Sequence, residues 1–261
     1  MSRRPRPRRS TIRSHWTLTV APAWRDALGD AAAVRALATR PDARLRETSR
    51  GTTSIVRLAG DVLVVKRSLI QERRRWIQWH SLYRGGEGAR AYRNLTRLRA
   101  AGIRVPEPVF ALEETRCGLV VASWHAYRYL EGEACTCADA PLIARTLKGL
   151  HDAGWVHRDP HVRNFLRHGS EAGIIDCAKA RPWRFGYARR YDVVLLNKCC
   201  PGARVHYPGF SESDPLYRLA ERHNGWIVLW RRVKRTVRGW FGVHRNDETT
   251  DAAAGRGGDA G

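Results

Sequence analysis

The alternation of apolar and polar residues predicts a small sheet in the first half of the chain. Between residues 44 and 66, apolar positions alternate with polar ones in three short runs, and the runs are separated by turn residues around Gly51 and Gly60. A period of two residues is typical of half-buried strands. The pattern therefore predicts an antiparallel meander with strands over residues 44–48, 54–58 and 62–66.

Helical spacing follows, because apolar residues now recur every three or four positions. Residues 89–101 carry Ala91, Leu95 and Leu98 on one face and end before Gly102. After Pro141, a second stripe consists of Leu142, Ile143, Leu147 and Leu150. Further helices are predicted over residues 24–37 and near Arg189, and further strands over residues 109–112 and 118–122 and from residue 127 into a hinge.

A third periodic segment lies near the C-terminus. Its apolar members are Trp226, Leu229, Trp230, Val233, Val237 and Trp240, and basic residues occupy the other faces. A basic amphipathic helix rich in Trp is suited to the interface of an anionic membrane. The alternative is a helix that packs its apolar stripe on its own domain, and the sequence leaves both open.

The net charge of the chain indicates the class of partner that it binds. The 261 residues include 47 Lys and Arg against 25 Asp and Glu, a formal net charge of +22. Such an excess predicts a polyanionic partner, which could be a nucleic acid, an anionic membrane surface or a phosphorylated glycolipid. Residues 1–13 contain six Arg, and residues 247–261 are rich in Gly, Ala and Asp. Both segments are predicted to be disordered.

Cysteine spacing and targeting signals indicate the compartment. The six Cys do not match paired zinc knuckles, so free thiols in a reducing cytosol are expected. A zinc site that joins Cys135, Cys137, Cys199 and Cys200 to a nearby His is the less favoured alternative. We find no apolar signal-peptide core at the N-terminus and no uncharged apolar run near 18 residues. A cytoplasmic protein is therefore expected.

One stretch carries a chemical signature. His157-Arg158-Asp159 is followed by Asn164 after four residues and by Asp176 at the end of a short apolar run. This is the spacing of a kinase catalytic loop and its metal-binding Asp. Asp159 is the candidate base that accepts the proton of an acceptor hydroxyl. Asn164 and Asp176 are candidate ligands of Mg²⁺, and His157 and Arg158 are expected to brace the loop.

The predicted meander supplies candidates for ATP binding. Lys66 ends the third strand, where a kinase carries the Lys that contacts the phosphates. Glu87, one turn before Ala91, is the candidate to orient that Lys, and the alternative is a solvated Glu at a helix start. The remaining candidates are Gly51, Thr52 and Thr53 near the phosphates, although only one Gly is present, and Leu130 and Glu131 beside the adenine.

Together these residues resemble the bacterial lipopolysaccharide core kinases, the family of Kdo and heptose kinases. The resemblance covers about residues 48–197 and includes the helical run at 90–95 that leads into residues 101–108, and the segment 189–196. It implies an α+β, two-lobed protein-kinase-like fold with an antiparallel-sheet N-lobe and a mostly helical C-lobe. The corresponding boundaries are residues 1–40 for the basic arm and lead-in, 41–132 for the N-lobe, 133–246 for the C-lobe and 247–261 for the tail.

The resemblance also implies an activity: ATP- and Mg²⁺-dependent phosphorylation of a sugar hydroxyl of the lipopolysaccharide inner core, at the inner face of the cell membrane. Lys66 would contact phosphates, Asp159 would be the base, and Asn164 and Asp176 would hold Mg²⁺. The chain departs from the family at Ala91, where relatives carry the Lys-pairing Glu. It departs again where Cys177 and Ala178 follow Asp176.

The segment after Asp176 bears on the acceptor. Protein kinases carry an extended activation segment that closes on Ala-Pro-Glu, and no Ala-Pro-Glu follows here. A compact, anionic acceptor is favoured, with Arg181 and Arg184 as candidates to meet it, and a nucleic acid is not expected as partner. The alternatives are a small atypical serine/threonine protein kinase and a non-catalytic, basic pseudokinase that serves as a binding module.

Overall fold

The structure is a computed structural model, and it describes residues 14–183 and 185–240. The predicted basic arm at residues 1–13, Arg184 and the predicted tail at residues 247–261 lie outside the described residues, as does the side chain of Trp240. The chain divides into two compact units. One comprises Met1–Tyr92 and Pro108–Arg128, and the other comprises Arg93–Glu107 and Tyr129–Gly261.

The helices and strands are numbered in chain order. The helices are α1 (Arg25–Leu28), α2 (Ala31–Thr39), α3 (Leu69–Arg73), α4 (Arg75–Arg84), α5 (Glu87–Ala100), α6 (Ala140–Asp152), α7 (Gly186–Cys199) and α8 (Pro215–Trp240). The strands are β1 (His15–Val20), β2 (Ala43–Glu47), β3 (Gly51–Leu58), β4 (Asp61–Ser68), β5 (Pro108–Arg116), β6 (Leu119–Arg128), β7 (Glu133–Ala134), β8 (Trp155–Val156), β9 (Phe165–His168), β10 (Glu171–Ile174) and β11 (Arg181–Pro182).

The first unit is built on a six-stranded antiparallel sheet in the order β1-β5-β6-β4-β3-β2. The predicted meander is confirmed as β2, β3 and β4. Strand β1 was not predicted. It pairs along its whole length with β5, from His15 opposite Thr115 to Val20 opposite Phe110. Fully buried Leu63, Phe110 and Leu112 form the centre of the hydrophobic core of this unit.

The helical stretch predicted over residues 24–37 is present, but it is interrupted near its middle. The chain forms two helices, α1 and α2, because Gly29 adopts a left-handed φ of 66° that ends the first. Asp30 then caps the second helix, and its carboxylate accepts a hydrogen bond from the Ala33 N–H at 2.8 Å. An Asp at this position satisfies a backbone donor that the new helix would otherwise leave unpaired.

Helices α5 and α6 confirm the two apolar stripes. On α5, Ala91, Leu95 and Leu98 are buried. On α6, Ile143, Leu147 and Leu150 are completely buried, whereas Leu142 is only half-buried. The second unit also contains the β9–β10 hairpin, which pairs with β7, and the short β8–β11 pair. These two small sheets hold the segment that carries the kinase signature.

Helix α8 divides into two halves of different character. Near its start, Tyr217 and Ala220 are buried, and the helix packs on α7. Farther along, Trp226 is 68% exposed and Trp230 is 57% exposed, with Leu229, Val233 and Val237 also exposed. The described residues of the predicted apolar stripe, from Trp226 to Val237, are therefore exposed to solvent. Among the described residues, the structure contains no helix with the length and apolar character needed to cross a bilayer.

Candidate active site

The catalytic-loop signature is anchored by a carboxylate from helix α7. Asp192 is 1% exposed, and its two oxygens accept hydrogen bonds from the backbone N–H groups of His157 at 2.6 Å and Arg158 at 2.7 Å. The same carboxylate lies 3.1 Å from His151 Nε2, and the other nitrogen of that ring lies 2.8 Å from the Tyr207 hydroxyl. A buried carboxylate with several donors is a strong constraint on their positions.

This anchor holds the loop in an uncommon conformation. Arg158 has a left-handed φ of 69°, which costs a non-glycine residue about 1 kcal/mol or more. The bonds from His157 and Arg158 to Asp192 offset that cost. Immediately afterwards, the Asp159 N–H donates to His157 Nδ1 at 3.2 Å, and the Asp159 carboxylate remains partly exposed. The proposed base is thus positioned by the backbone on its N-terminal side.

The structure brings Asn164 next to the segment that carries Asp176. The Asn164 side-chain N–H donates to the Asp159 carbonyl at 2.9 Å, which curls the loop back on itself. In the following hairpin, Phe165 pairs with Ile174. The start of β9 therefore lies beside the end of β10. The N–H of Ile175 donates to the Asn164 carbonyl at 2.9 Å. Asp176 is the next residue along the chain.

Lys179 is a candidate that the sequence analysis missed. Its Nζ lies 2.5 Å from Asp159 Oδ2, with Lys179 59% exposed and Asp159 46% exposed. The available signal was a lone basic residue three positions after the predicted metal-binding Asp. That signal is weak, because most lysines at such positions are simply solvated. Only the fold of the segment shows that this amine reaches the proposed base.

Asn94 on α5 fixes the segment that carries Lys179. Its side-chain N–H groups donate to the carbonyls of Cys177 at 2.8 Å and Ala180 at 2.7 Å. These two carbonyls lie on either side of Lys179 in the chain. One amide therefore clamps both ends of a short turn. This role was also missed, because the two partners lie more than 80 residues away in sequence.

The chain after this turn returns directly towards the start of the catalytic loop. Arg181 pairs with Val156 in the β8–β11 ladder, and the Trp183 N–H donates to the Gly154 carbonyl at 2.7 Å. The guanidinium of Arg181 stacks over the Trp183 ring at 4.3 Å. Helix α7 begins at Gly186, so only a short connection separates Asp176 from the helix that anchors the loop.

His157 is a buried imidazole surrounded by charged groups. Removal from water lowers its pKa, and the nearby carboxylates of Asp192, Asp176 and Asp159 only partly oppose that effect. A neutral ring that accepts the Asp159 N–H at Nδ1 carries its proton on Nε2. Buried Nε2 has no hydrogen-bond partner among the described residues.

The lowered pKa of His157 predicts a pH dependence of stability. The unfolded chain binds a proton here below about pH 6.5, whereas the folded chain does not until the pH falls further, so the free energy of unfolding decreases as the pH falls below about 6.5. One such group contributes a slope of at most about 1.4 kcal/mol per pH unit. Denaturant unfolding between pH 5 and 7.5 measures it. His157→Asn is expected to flatten the slope.

His168→Asn is the matched control, because His168 is exposed on β9. Equal slopes in the His157→Asn variant and the wild type would contradict the assignment of the buried neutral ring. Comparing slopes rather than absolute stabilities separates the titration from the packing lost with the imidazole. The contribution is present above pH 6.5 and is lost on acidification.

The predicted phosphate-binding residues belong to the first unit. Lys66 lies on β4, with its amine 5.4 Å from the centre of the Tyr127 ring. Glu87 begins α5 and accepts a hydrogen bond from the Ser68 hydroxyl at 2.5 Å. Ser68 follows Lys66 by two residues on the same strand, so both side chains point to the same face. Pairing of Glu87 with Lys66 stays a prediction.

The turn predicted to cover the phosphates is a tight hairpin end. The Thr48 hydroxyl accepts hydrogen bonds from the N–H groups of Arg50 at 3.2 Å and Gly51 at 3.1 Å. Gly51 begins β3, and a Cβ on it would lie 2.6 Å from the Arg67 carbonyl, so glycine permits the close approach of β4. Thr52 and Thr53 are paired with both neighbouring strands. Their contact with phosphate stays a prediction.

The predicted adenine contacts lie in the connection between β6 and β7. Leu130 is half-buried and Glu131 is exposed, and neither belongs to a helix or strand. Leu130 packs against Gly173 of β10, where a Cβ would come within 2.7 Å of the leucine Cδ2. Their contact with the nucleotide stays a prediction.

The donor set fits magnesium better than a structural metal. Carboxylate and amide oxygens, here from Asp176 and Asn164, are the hard ligands that Mg²⁺ prefers together with substrate phosphates. Asn164 uses its N–H in the loop bond, which leaves its side-chain oxygen for a metal. Over residues 14–183 and 185–240, no group of three or more His, Cys, Asp and Glu is arranged to hold a metal ion, the four thiols of the zinc alternative included.

Comparisons with known proteins support the fold. No protein-family model and no curated protein sequence matches the chain. Among solved structures, WaaP in complex with acyl carrier protein matches with a TM-score of 0.52 and 17% sequence identity, over 84% of this chain and 98% of the other. At 17% identity this similarity concerns the fold alone. The predicted kinase-like α+β fold is therefore confirmed.

Proposed function

We propose that this chain is an ATP-dependent phosphotransferase that phosphorylates a sugar hydroxyl of an anionic glycolipid, most simply the lipopolysaccharide inner core. The observation that carries the proposal is the hydrogen bonding of the catalytic loop. The Asn164 side chain donates to the Asp159 carbonyl, and the N–H of Ile175, the residue before Asp176, donates to the Asn164 carbonyl. The kinase-like fold supports it. Kdo and heptose are both open as the sugar.

Each residue of the loop has a separate task in this mechanism. Asp159 would orient the acceptor hydroxyl and take its proton as that oxygen bonds to the γ-phosphorus of ATP. The bond from the γ-phosphorus to the bridging oxygen breaks, and ADP leaves with that oxygen. Asn164 and Asp176 would hold Mg²⁺, and Lys66 would contact the phosphates. When bound, MgATP supplies the phosphoryl group and the metal charge that offsets the phosphate oxygens. Asp192 keeps the loop in place through its bonds to the two residues before Asp159.

The short segment after Asp176 supports a compact acceptor. Residues 177–183 fold into a turn clamped by Asn94 and a two-residue strand, and α7 begins at Gly186. This leaves little chain for a peptide-binding platform, which argues against the protein-kinase alternative. The chain retains the candidate phosphate contact, base and metal ligands, namely Lys66, Asp159, Asn164 and Asp176, which argues against the non-catalytic alternative.

The basic, Trp-bearing part of α8 supports peripheral attachment to the membrane in which such an acceptor resides. The rings of Trp226 and Trp230 are nearly parallel, with 6.3 Å between their centroids, and both side chains are exposed. Arg231, Arg232 and Lys234 are exposed next to them. Apolar rings beside cationic side chains match the two layers of an anionic membrane interface.

Phosphate transfer tests the proposal directly. Purified chain is incubated with labelled ATP and Mg²⁺, and either bacterial membranes that contain lipopolysaccharide or a soluble protein mixture. Label is expected in the glycolipid fraction, and mass spectrometry of the glycolipid is expected to show one added phosphate. Label found only in protein would favour the alternative, and no transfer to either fraction would favour the binding module.

Lys179 is expected to raise the rate of this reaction. Its amine lies at the proposed base, where it can offset negative charge that gathers in the transition state. Lys179→Met is expected to lower kcat by about 10²-fold, with a smaller change in KM for ATP. Steady-state kinetics with a soluble core oligosaccharide as acceptor measures both constants.

Lys148→Met is the matched control for that experiment. Lys148 makes the same kind of ion pair, with Asp152 at 2.5 Å, on the exposed side of α6. Its loss is expected to leave both constants unchanged, because exposed pairs contribute little to stability. If the Lys179 variant retained full kcat, the contact with Asp159 would be incidental.

A further inference from the structure

Helix α4 presents an unusual outer face. Trp76 is 59% exposed, Trp79 is 63% exposed and Tyr83 is 90% exposed. These three residues are spaced by three and four positions, so they lie on one side of the helix. Leu82, 48% exposed, borders them. Exposed large apolar residues that cluster on one face usually mark an interaction surface.

The inner face of the same helix is polar and makes hydrogen bonds to neighbouring backbone groups. The Ser81 hydroxyl accepts the N–H of Val120 on β6 at 2.9 Å and donates to the Gln78 carbonyl at 2.5 Å. The Gln78 amide donates to the carbonyls of Gln71 and Glu72 at 3.1 and 3.2 Å. The usual arrangement is therefore inverted, with polar groups inside and aromatic rings outside. These bonds fix which side of α4 faces outward.

The charged side chains of α4 itself are all basic, and the flanking carboxylates of Glu72 and Glu87 are engaged by Arg67 and Ser68. Residues 73–86 contain four Arg and no Asp or Glu. Arg75 and Arg84 are exposed at the two ends of α4, and Arg73, the last residue of α3, is exposed next to its start. A partner that accepts aromatic rings at its centre and guanidinium groups at its edge needs an apolar layer beneath an anionic one. An anionic bilayer interface has this structure, since Trp and Tyr settle at the headgroup level and Arg binds phosphate.

We infer that the outer face of α4, formed by Trp76, Trp79, Leu82 and Tyr83, binds an anionic lipid surface. This inference deepens the proposed function, because it assigns a membrane contact to the first unit in addition to the one supported for α8. Insertion of the three rings removes apolar area from water, and the Arg residues at the ends of the helix meet lipid phosphates.

The test is sedimentation of the full-length chain with vesicles of phosphatidylcholine, with or without phosphatidylglycerol. No ATP or glycolipid is present, so the result is independent of phosphotransfer. The wild type is expected to bind the anionic vesicles and to bind less at high salt. Replacing Trp76, Trp79 and Tyr83 together by Ala is expected to weaken partitioning by at least about tenfold. Tyr83→Glu alone is expected to weaken it measurably.

Two further variants make the outcome specific. Leu45→Ala removes an equally exposed apolar residue from β2 of the same unit and is expected to change nothing. Combined Trp226→Ala and Trp230→Ala tests α8 separately. Full vesicle binding by both α4 variants would overturn the inference and favour an acidic protein as the partner of this face. Failure of the wild type to bind anionic vesicles would overturn it as well. Activity on a soluble core oligosaccharide reports the proposed function in each case.

Discussion

Asp159→Asn is expected to reduce kcat for phosphate transfer by about 10²–10⁴-fold, the typical contribution of a positioned general base. The amide retains the size of the carboxylate but cannot take the proton of the acceptor hydroxyl. The backbone bonds that shape the loop come from other atoms, namely the Asp159 N–H and carbonyl. The variant should therefore fold normally. Steady-state phosphorylation of a soluble core oligosaccharide measures the effect.

Asp152→Asn provides the control, because it makes the same chemical change on an exposed carboxylate at the end of α6. Its kcat and its melting temperature are expected to equal those of the wild type. An Asp159→Asn variant that retained more than about a tenth of the wild-type kcat would remove the base from the proposed mechanism. A large drop in its melting temperature would instead show that the carboxylate is structural.

Asp192→Asn is expected to destabilise the fold by about 3 kcal/mol and to abolish measurable activity with it. The carboxylate receives two backbone N–H groups and lies beside His151 Nε2, all in a buried setting. An amide offers one oxygen, so at least one donor would face an N–H group. For a chain of this size the loss corresponds to a fall of about 6–12 °C in melting temperature.

Calorimetry or circular dichroism measures this fall, with the surface variant Asp152→Asn as reference. The contrast between the Asp159 and Asp192 variants is itself informative. Asp159→Asn should lose activity at nearly constant stability, whereas Asp192→Asn should lose both. An Asp192→Asn variant with wild-type melting and wild-type kinetics would show that the loop does not depend on this anchor.

Local signals in the sequence predicted the meander and helices α5 and α6, whereas the short strands β8, β9 and β11 beside the catalytic loop were not predicted. The meander and the stripes of α5 and α6 depend on residues only a few positions apart, so their periodicity is visible without the fold. The two failures have different causes, one local and one distant in the chain. Gly29 broke a predicted helix by adopting a left-handed conformation. Strand β1 lies at the edge of the sheet, opposite a partner almost 100 residues away, and was not recognised.

Helix α4 shows where hydrophobic patterning fails to predict the orientation of a helix. A rule that places Trp inside and Gln or Ser outside would orient this helix the wrong way, because Ser81 and Gln78 are the residues bonded inward. Binary patterning assumes that burial follows hydrophobicity. It fails where polar side chains satisfy buried backbone groups and free the aromatic face for another partner.

The sequence by itself determined which side chains could carry the chemistry, because Asp159, Asn164 and Asp176 stand at a spacing set by one loop and one hairpin. Only the tertiary structure showed how they are supported. Asp192 holds the loop through two backbone N–H groups, Asn94 holds the turn after Asp176 through two carbonyls, and Lys179 pairs with Asp159. Such contacts leave no periodic trace in a sequence, since they depend on where the packing of whole elements brings two atoms.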